Sequence, residues 1–295
     1  MIERLDAAWL RAHPLPELSE GGDKHARGCV VVAGGAAFVP GALRLTAEAA
    51  LRAGAGKLRM ATVEQAAMAL AVLMPEGSMI ALPSDDAGEI AASAADVLGD
   101  RLARCDALVL GPGMSATDQT ERLVADLLSR CPEEMTVVLD AGALGVAAGL
   151  RKRIVGRGGR IIMTPHAGEM SRLADVPLDV VTDDPQAIAE QVAREFQAVV
   201  ALKGEKTIVM TPGGDAVRFE GGNNGLATSG SGDVLAGLVG GFAARGAQPW
   251  AAAAWGVYAH GTAGERAAAE VAPIGYLARE LLPHIPRIVA EVERG

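Results

Sequence analysis

Short apolar runs alternate with helix-like patterns along most of this chain. Five of the runs have the length and the β-branched or leucine-rich character of buried parallel strands. They are Cys29–Ala33, Ala107–Leu110, Val137–Leu139, Ile161–Met163 and Val199–Leu202. A further strand is predicted at Leu58–Val63, with helices over Gly41–Ala53 and Ala66–Met74. This alternation predicts an α/β sandwich in which helices cover both faces of a mostly parallel sheet.

Two local patterns add detail to this prediction. Asp118 and Glu121 have the spacing of a capping pair at the start of a helix, whose apolar stripe is Leu123, Val124, Leu127 and Leu128. Later, the segments Lys206–Thr211 and Ala216–Glu220 flank the turn sequence Pro-Gly-Gly-Asp. That arrangement is typical of a β-hairpin, so one edge of the sheet is expected to be antiparallel.

Composition narrows the class of protein. No linker-like stretch interrupts the 295 residues, which predicts one domain over residues 1–295. A net charge of −9 argues against binding to nucleic acid or to an anionic membrane surface. The cysteines Cys29, Cys105 and Cys131 lie in or beside apolar runs, which favours buried thiols. The start of the sequence does not resemble a signal peptide and no apolar run is long enough to span a membrane, so a cytoplasmic location is expected.

Glycine or polar residues follow each of the five predicted strands. These segments are Gly34-Gly35, Gly111-Pro112-Gly113, Asp140-Ala141-Gly142, Thr164-Pro165-His166 and Lys203-Gly204. Glycine after a strand is also an ordinary way to form a turn. Because ligands of open α/β sheets bind at the carboxyl ends of the strands, five such ends together predict one binding crevice.

A late helix start combines glycines with a carboxylate. Residues 230–233 read Gly-Ser-Gly-Asp, and the apolar positions that follow place them in the first turn of a helix. The unpaired N–H groups of a helix start favour an anion such as phosphate. Asp233 is then either a helix cap or a group that acts on a substrate. Its ordinary pKa of about 3.9 would make it a weak base, although phosphoryl transfer needs orientation more than basicity.

Several familiar motifs are missing from the sequence. The residues after the first strand do not form G-x-G-x-x-G, and no complete P-loop occurs. There is also no H-E-x-x-H, no G-x-S-x-G and no cluster of Cys and His with metal-ligand spacing. The sequence therefore does not predict a dinucleotide Rossmann site, a metalloprotease, an α/β-hydrolase or a structural zinc site.

Together, the motifs of this chain resemble the ADP-dependent NAD(P)H-hydrate dehydratases of the ribokinase-like superfamily. The segments that carry the resemblance are Lys24–Gly28, Pro40–Ala42, Arg52–Gly56, Gly111–Gly113, Thr164–Glu169 and Ala227–Leu235. The last two are the more specific. The resemblance implies a ribokinase-like three-layer sandwich that repairs NADHX or NADPHX, the hydrated forms of NADH and NADPH, while ADP is split to AMP and phosphate.

The resemblance also implies roles for individual residues. Asp233 would accept the proton of the substrate hydroxyl during phosphoryl transfer, while N–H groups of Gly230, Ser231 and Gly232 hold the phosphoryl group. The residues matched to contacts with the hydrate are Ala42, Gly113, His166 and Asp233. Those matched to contacts with the adenine nucleotide are Lys203, Gly204, Glu205, Lys206, Thr207 and Gly232. Glu169 matches a carboxylate that organises Mg²⁺ through water.

Three positions depart from the family pattern. Gly142 stands where the family usually has a second Asp, Ala167 replaces a common proline, and Ser229 replaces a common glycine. The family often carries a fused epimerase domain, for which the residues before the first strand leave no room, so epimerisation is expected from a separate protein. The family's tetramers lead us to expect a homotetramer.

Two other functions are compatible with parts of the sequence. A small-molecule kinase of the same fold, for example one acting on a vitamin precursor, uses the same Gly-x-Gly-Asp sequence, although such kinases more often have Asn where this chain has His166. A nucleotide sensor without turnover would fit if Asp233 were only a cap. The Lys24–Gly28 segment and His166 favour the dehydratase.

Overall fold

The computed structural model describes residues 2–17 and 26–295, and the strands within them form one ten-stranded sheet. The strands are β1 (Glu3–Arg4), β2 (Cys29–Ala33), β3 (Lys57–Val63), β4 (Ser78–Leu82), β5 (Ala107–Leu110), β6 (Thr136–Leu139), β7 (Ile161–Met163), β8 (Val199–Leu202), β9 (Thr207–Met210) and β10 (Ala216–Phe219). Their order across the sheet is β1-β10-β9-β8-β7-β6-β5-β2-β3-β4. Strands β2 to β8 pair in parallel, whereas β9 is antiparallel to both of its neighbours.

Thirteen α-helices accompany the sheet in the described part of the chain. They are α1 (Ala7–Ala12), α2 (Gly41–Arg52), α3 (Glu64–Leu73), α4 (Ala94–Leu102), α5 (Asp118–Arg130), α6 (Ala141–Gly145), α7 (Arg151–Val155), α8 (Ala167–Ala174), α9 (Leu178–Asp183), α10 (Pro185–Phe196), α11 (Ser231–Ala244), α12 (Pro249–Glu270) and α13 (Ile285–Arg294). Helices α2, α11 and α12 pack together on one face of the sheet, and α4, α5, α7, α8 and α10 form the layer on the other face. The predicted three-layer α/β sandwich is confirmed.

Most of the predicted strands have the bounds expected from the apolar runs. The strand predicted at Val137–Leu139 begins one residue earlier, at Thr136, and the strand predicted at Leu58–Val63 begins at Lys57. The helix expected over Ala66–Met74 begins at Glu64 and ends at Leu73. The cysteines Cys29, Cys105 and Cys131 are buried free thiols, as predicted.

The predicted cap of α5 was wrong by one residue. Thr117, and not Asp118, is the N-cap, and its hydroxyl accepts a hydrogen bond from the N–H of Thr120 at 3.2 Å. Asp118 and Glu121 lie in the first turn, where their negative charges favour the positive end of the helix dipole. The sequence pattern therefore located the helix but selected the wrong one of two adjacent capping residues.

The predicted hairpin is present, but it is not the outermost part of the sheet. Strands β9 and β10 pair antiparallel around the Pro-Gly-Gly-Asp turn. The two-residue strand β1 then pairs in parallel with β10 and forms the edge. Sequence analysis missed β1 because it is so short, and missed β4 because its half-exposed edge position gives no clear alternation.

The strand order reverses at the boundary between the parallel strands β2 and β5. From β2 the strand order continues outward through β3 and β4, whereas from β5 it continues the other way through β6, β7 and β8. Such a switch point leaves a crevice at the carboxyl ends of the two strands. Here the N–H of Gly35 donates to the carbonyl of Pro112 at 2.7 Å, so the loops that follow β2 and β5 are joined at this crevice.

One segment that carries the family resemblance lies partly outside the described residues. Of the Lys24–Gly28 segment, Lys24 and His25 are not among the described residues. Across the ranges that are described, no helix combines the length and the apolar character needed to cross a membrane.

Close contact between α2 and α11 depends on glycines of α11. A Cβ atom at Gly237 would lie 2.2 Å from the carbonyl oxygen of Thr46, and one at Gly241 would lie 2.4 Å from that of Ala50. Neither oxygen belongs to a flexible side chain, so a methyl group there forces the helices apart. This contact fixes α11, and with it residues 230–233, against the rest of the fold.

We therefore expect Gly237→Ala to lower the free energy of unfolding by about 1–3 kcal/mol through overpacking. Gly41→Ala is the matched control, because Gly41 is also helical and an added Cβ there meets nothing within 4 Å. That variant should be neutral or up to about 1 kcal/mol more stable, since Ala favours helix. Urea unfolding of both variants measures the difference, and equal stability of the two would contradict the packing argument.

Candidate active site

The start of α11 is formed by a glycine in the left-handed region of backbone space. Gly230 is the N-cap with φ of 88°, and no side chain caps the helix. A Cβ at this position would also lie 2.5 Å from the Cδ1 atom of Leu45. Asp233 lies in the first turn, as predicted, but its side chain is not a cap. The capping alternative for Asp233 is therefore excluded by the structure.

Not every N–H group of this turn is open to a ligand. The N–H of Ser231 donates to the carbonyl of Thr228 at 3.2 Å, contrary to its expected role as a phosphate donor. Within the described chain, the N–H groups of Gly230, Gly232 and Asp233 have no protein acceptor. A ligand at the helix start could therefore meet these three N–H groups, and Ser231 could contribute only through its hydroxyl.

The carboxylate of Asp233 lies close to the buried Asp140. The pKa of Asp233 is raised to about 6, mainly by desolvation and then by the negative charge of Asp140, while the positive charge of Lys203 acts in the opposite direction. Among the described residues its carboxylate has no hydrogen-bond partner. A carboxylate with this pKa is a better proton acceptor at neutral pH than an ordinary Asp.

Lys203 links three elements of the site. Its Nζ lies 3.2 Å from Oδ1 of Asp140 and 3.9 Å from Oε2 of Glu169. Asp140, which is 3% exposed, also accepts a hydrogen bond from the hydroxyl of Thr164 at 2.7 Å. A Cβ atom at Gly232 would lie 3.4 Å from the same Nζ, so the ammonium group reaches the start of α11.

His166 caps helix α8, and more than half of its side chain is exposed to solvent. His166 is the N-cap of α8, and its Nδ1 accepts hydrogen bonds from the N–H groups of Gly168 at 3.0 Å and Glu169 at 3.3 Å. In return, Oε2 of Glu169 accepts a hydrogen bond from the backbone N–H of His166 at 2.8 Å. Because Nδ1 accepts, the proton of the neutral ring is on Nε2. The side chain is 57% exposed, and Nε2 lies 3.6 Å from Oε2 of Glu169, so among the described residues this N–H has no acceptor within hydrogen-bond distance.

A cavity of about 780 Å³ extends from the start of α11 towards β10. Its volume suits a nucleotide-sized ligand. All six residues matched to nucleotide contacts line it, namely Lys203, Gly204, Glu205, Lys206, Thr207 and Gly232. His166 and Ser231 also line it. The structure therefore brings the predicted nucleotide residues together around one volume.

Ala42 and Gly113 lie at the switch point rather than in this cavity. A Cβ atom at Gly113 would lie 2.8 Å from that of Ala42, so the two residues are in direct contact. Asp140 connects the two regions, because its carbonyl oxygen packs against Gly111 while its side chain contacts Lys203. The candidate site thus has one end at β2 and β5, and another in the cavity beyond Lys203.

The three departures from the family pattern are compatible with this geometry. A Cβ atom at Gly142 would lie 2.5 Å from the carbonyl oxygen of Met114, so the structure leaves no space for a second Asp there. Ala167 is the first residue of α8, a position that accepts Ala as well as proline. Ser229 is exposed and lies before the N-cap of α11.

Two residues of the site were not among the sequence-predicted site residues. Asp140 could have been proposed from its place after β6, but its contact with Lys203 spans 63 positions and is tertiary. His260 lies in α12, where its Nε2 is 2.9 Å from the hydroxyl oxygen of Ser231. No local motif marks His260, because an isolated histidine in a helix has no distinctive spacing.

Comparisons of this chain with protein families, curated relatives and solved structures lead to the same family. A family described as NAD(P)H-hydrate dehydratase matches residues 30–287. The ADP-dependent (S)-NAD(P)H-hydrate dehydratase of Xanthomonas campestris is 44% identical over 294 residues, which cover 100% of this chain and 98% of that protein. The bifunctional NAD(P)H-hydrate repair enzyme of Moorella thermoacetica is 39% identical, and the match covers 98% of this chain but 54% of that enzyme.

Among solved structures, the ADP/ATP-dependent NAD(P)H-hydrate dehydratase of Bacillus subtilis, co-crystallised with ATP and Mg²⁺, superposes with a TM-score of 0.82 at 27% identity and covers 99% of both chains. The family match covers most of the chain, and the identity to relatives of the same description is high over its whole length. Sequence, fold and site geometry therefore agree that this chain belongs to the NAD(P)H-hydrate dehydratase family.

Proposed function

We propose that this protein dehydrates (6S)-NADHX and NADPHX to NADH and NADPH while ADP is split to AMP and phosphate. The observation that carries the proposal is the position of the Asp233 carboxylate, beside open N–H groups at a helix start and beside Lys203. Membership of the family and the name of the Xanthomonas campestris relative support the same reaction.

The reaction needs a better leaving group than hydroxide. Transfer of a phosphoryl group from the nucleotide to the ring hydroxyl converts that hydroxyl into a phosphate ester, and the lone pair of the ring nitrogen then expels phosphate. Asp233 accepts the hydroxyl proton during the transfer, a role that its raised pKa supports. The N–H groups of Gly230, Gly232 and Asp233 stabilise charge on the phosphoryl oxygens.

The hydrate is proposed to bind at the switch-point end of the site. Ala42 and Gly113 leave space for the ring and ribose because neither has a side chain beyond Cβ. The Nε2–H of His166 donates a hydrogen bond to the substrate, and the capping contacts of Nδ1 hold the ring in this orientation.

The adenine nucleotide is proposed to bind in the 780 Å³ cavity. Lys203 and residues 204–207 contact it, with the hydroxyl of Thr207 as a donor, and the ammonium group of Lys203 provides positive charge beside the phosphates. An adenine nucleotide as co-substrate is supported by relatives named ADP-dependent and ADP/ATP-dependent. We propose ADP as the co-substrate on the basis of the relative with 44% identity.

Magnesium is proposed to accompany the nucleotide. In the described ranges, no group of three or more His, Cys, Asp or Glu residues is arranged to hold a metal ion alone. This suits Mg²⁺, which commonly keeps several waters and binds through phosphates with one or two carboxylates. Glu169 fits the water-mediated role because its contacts with His166 and Lys203 all involve Oε2. The ion would neutralise charge between the phosphates.

The dehydratase is favoured over the vitamin-precursor kinase by the family and by the names of the relatives. Half-length matches to bifunctional repair enzymes support a functional link with an epimerase. The separate epimerase, the homotetramer, the single domain over residues 1–295 and the cytoplasmic location stay predictions.

The direct test of this function is an assay of purified protein with NADHX, ADP and Mg²⁺. We expect near-ultraviolet absorbance of NADH to appear together with equal amounts of AMP and inorganic phosphate. A phosphorylated product that accumulates would instead indicate a kinase, and nucleotide binding without products would indicate a sensor.

The role of Asp233 is tested by Asp233→Asn. We expect this variant to bind ADP but to lose about 10²-fold or more in kcat, the usual range for a general base. In the unsubstituted protein, kcat/KM should rise with pH through about 6, because Asp233 accepts a proton only after it has lost its own. The residual activity of the variant should lack this rise.

Asp118→Asn is the matched control for that variant. Asp118 is also an acidic residue in the first turn of a helix, but it belongs to α5 and does not line the cavity. Its substitution should leave kcat and its pH dependence unchanged. An Asp233→Asn enzyme with near-normal turnover would exclude Asp233 as the base.

A further inference from the structure

Ser231 is tied to a histidine that has no part in the reaction described above. Its N–H is occupied by the carbonyl of Thr228, so only its hydroxyl can reach a ligand. The hydroxyl oxygen lies 2.9 Å from Nε2 of His260, which extends from α12 across to the start of α11. Both residues line the nucleotide-sized cavity.

The imidazole of His260 is neutral at physiological pH. Burial lowers its pKa to about 4, and the positive charge of Lys203 acts in the same direction. A neutral ring carries one proton, on Nδ1 or on Nε2, and the 2.9 Å contact with the Ser231 hydroxyl accommodates either tautomer. With the proton on Nε2, the ring donates to the hydroxyl of Ser231, whereas with the proton on Nδ1 the hydroxyl donates to the ring.

A hydroxyl that accepts from His260 keeps its own proton for another acceptor. If Ser231 instead donated to the ring, it could offer a phosphate only lone pairs, which would repel the phosphoryl oxygens. The direction of this one contact therefore decides whether Ser231 attracts or opposes the anion at the helix start. The hydrogen bond from His260 also holds the hydroxyl of Ser231 in place before the ligand arrives, so the hydroxyl does not need to reorient during phosphoryl transfer.

We propose that His260 is a positioning residue that donates a hydrogen bond to the hydroxyl of Ser231. The hydroxyl then donates its own proton to the terminal phosphoryl group of the nucleotide. It thereby replaces the N–H of Ser231, which is already occupied. The inference rests on the proposed function for the identity of the nucleotide. The phosphoryl group then receives a side-chain donor in addition to the backbone donors of Gly230, Gly232 and Asp233.

The test compares Ser231→Ala, His260→Leu, His260→Gln and the double variant Ser231→Ala with His260→Leu. Calorimetry gives the affinity for ADP and for AMP, which lacks the terminal phosphoryl group, and the NADHX assay gives kcat. We expect Ser231→Ala and His260→Leu each to lower ADP affinity or kcat by about 10- to 100-fold, as for loss of a hydrogen bond to a charged group. AMP affinity should stay unchanged.

Two features of the result are specific to positioning. The double variant should lose no more than either single variant, because both remove the same hydrogen bond. His260→Gln should recover most of the loss, since its side-chain amide can donate from nearly the same place. His284→Gln is the control, because His284 lies outside α12 and does not line the cavity, and its Nε2 is 3.8 Å from Oε2 of Glu270.

Equal losses of ADP and AMP affinity, additive losses in the double variant, or normal behaviour of His260→Leu would each overturn the proposal. If His260→Leu does not fold, Ser231→Ala and His260→Gln still provide the ADP and AMP comparison. Failure of the proposed function gives a different result, because the unsubstituted protein would then release no NADH, AMP and phosphate. The comparison of ADP and AMP affinities would still test the contact between Ser231 and His260.

Discussion

The ion pair between Lys203 and Asp140 is the interaction on which the geometry of the site depends. Asp140 is almost fully buried, so its charge needs a partner, and breaking such a pair leaves an uncompensated charge that costs about 3–5 kcal/mol. The pair links the residue after β8 to the residue after β6, across the intervening strand β7. It also places the Lys203 ammonium beside the helix start that carries Asp233.

This arrangement explains how one lysine serves two purposes. Its positive charge compensates Asp140, and it is also available to the phosphates of a nucleotide in the adjoining cavity. The carboxylate of Asp233 has no hydrogen-bond partner among the described residues, and desolvation together with the charge of Asp140 raises its pKa. Two neighbouring carboxylates thus acquire different properties: Asp140 fixes the cation, and Asp233 is suited to accept a proton in the proposed reaction.

Much of the fold and part of the site could be predicted from the sequence. The buried strands appear as continuous apolar runs, and the glycines and polar residues after them marked the carboxyl edge of the sheet. The edge strands β1 and β4 and the Thr117 cap could not be identified, because they depend on pairing partners or on a choice between adjacent capping residues. Five of the six residues matched to nucleotide contacts form the contiguous segment 203–207 after β8, and the sixth, Gly232, belongs to the start of α11.

What the sequence could not provide are effects that arise only when distant segments meet. The pKa of Asp233 depends on burial and on Asp140, which is far away in the chain. The occupied N–H of Ser231 depends on the turn that begins at Thr228, and the contact of Ser231 with His260 joins two helices. Similarly, the glycine at position 142 is explained only by the backbone of Met114 beside it.

The central claim is that the substrate hydroxyl leaves as part of phosphate after Asp233 has accepted its proton. NADHX carrying ¹⁸O in the ring hydroxyl tests this claim most directly, with mass spectrometry of the phosphate released during turnover with ADP. The account predicts that the label is recovered in inorganic phosphate, because the carbon–oxygen bond breaks only after the oxygen has been phosphorylated. Recovery of the label in water, with unlabelled phosphate, would contradict it.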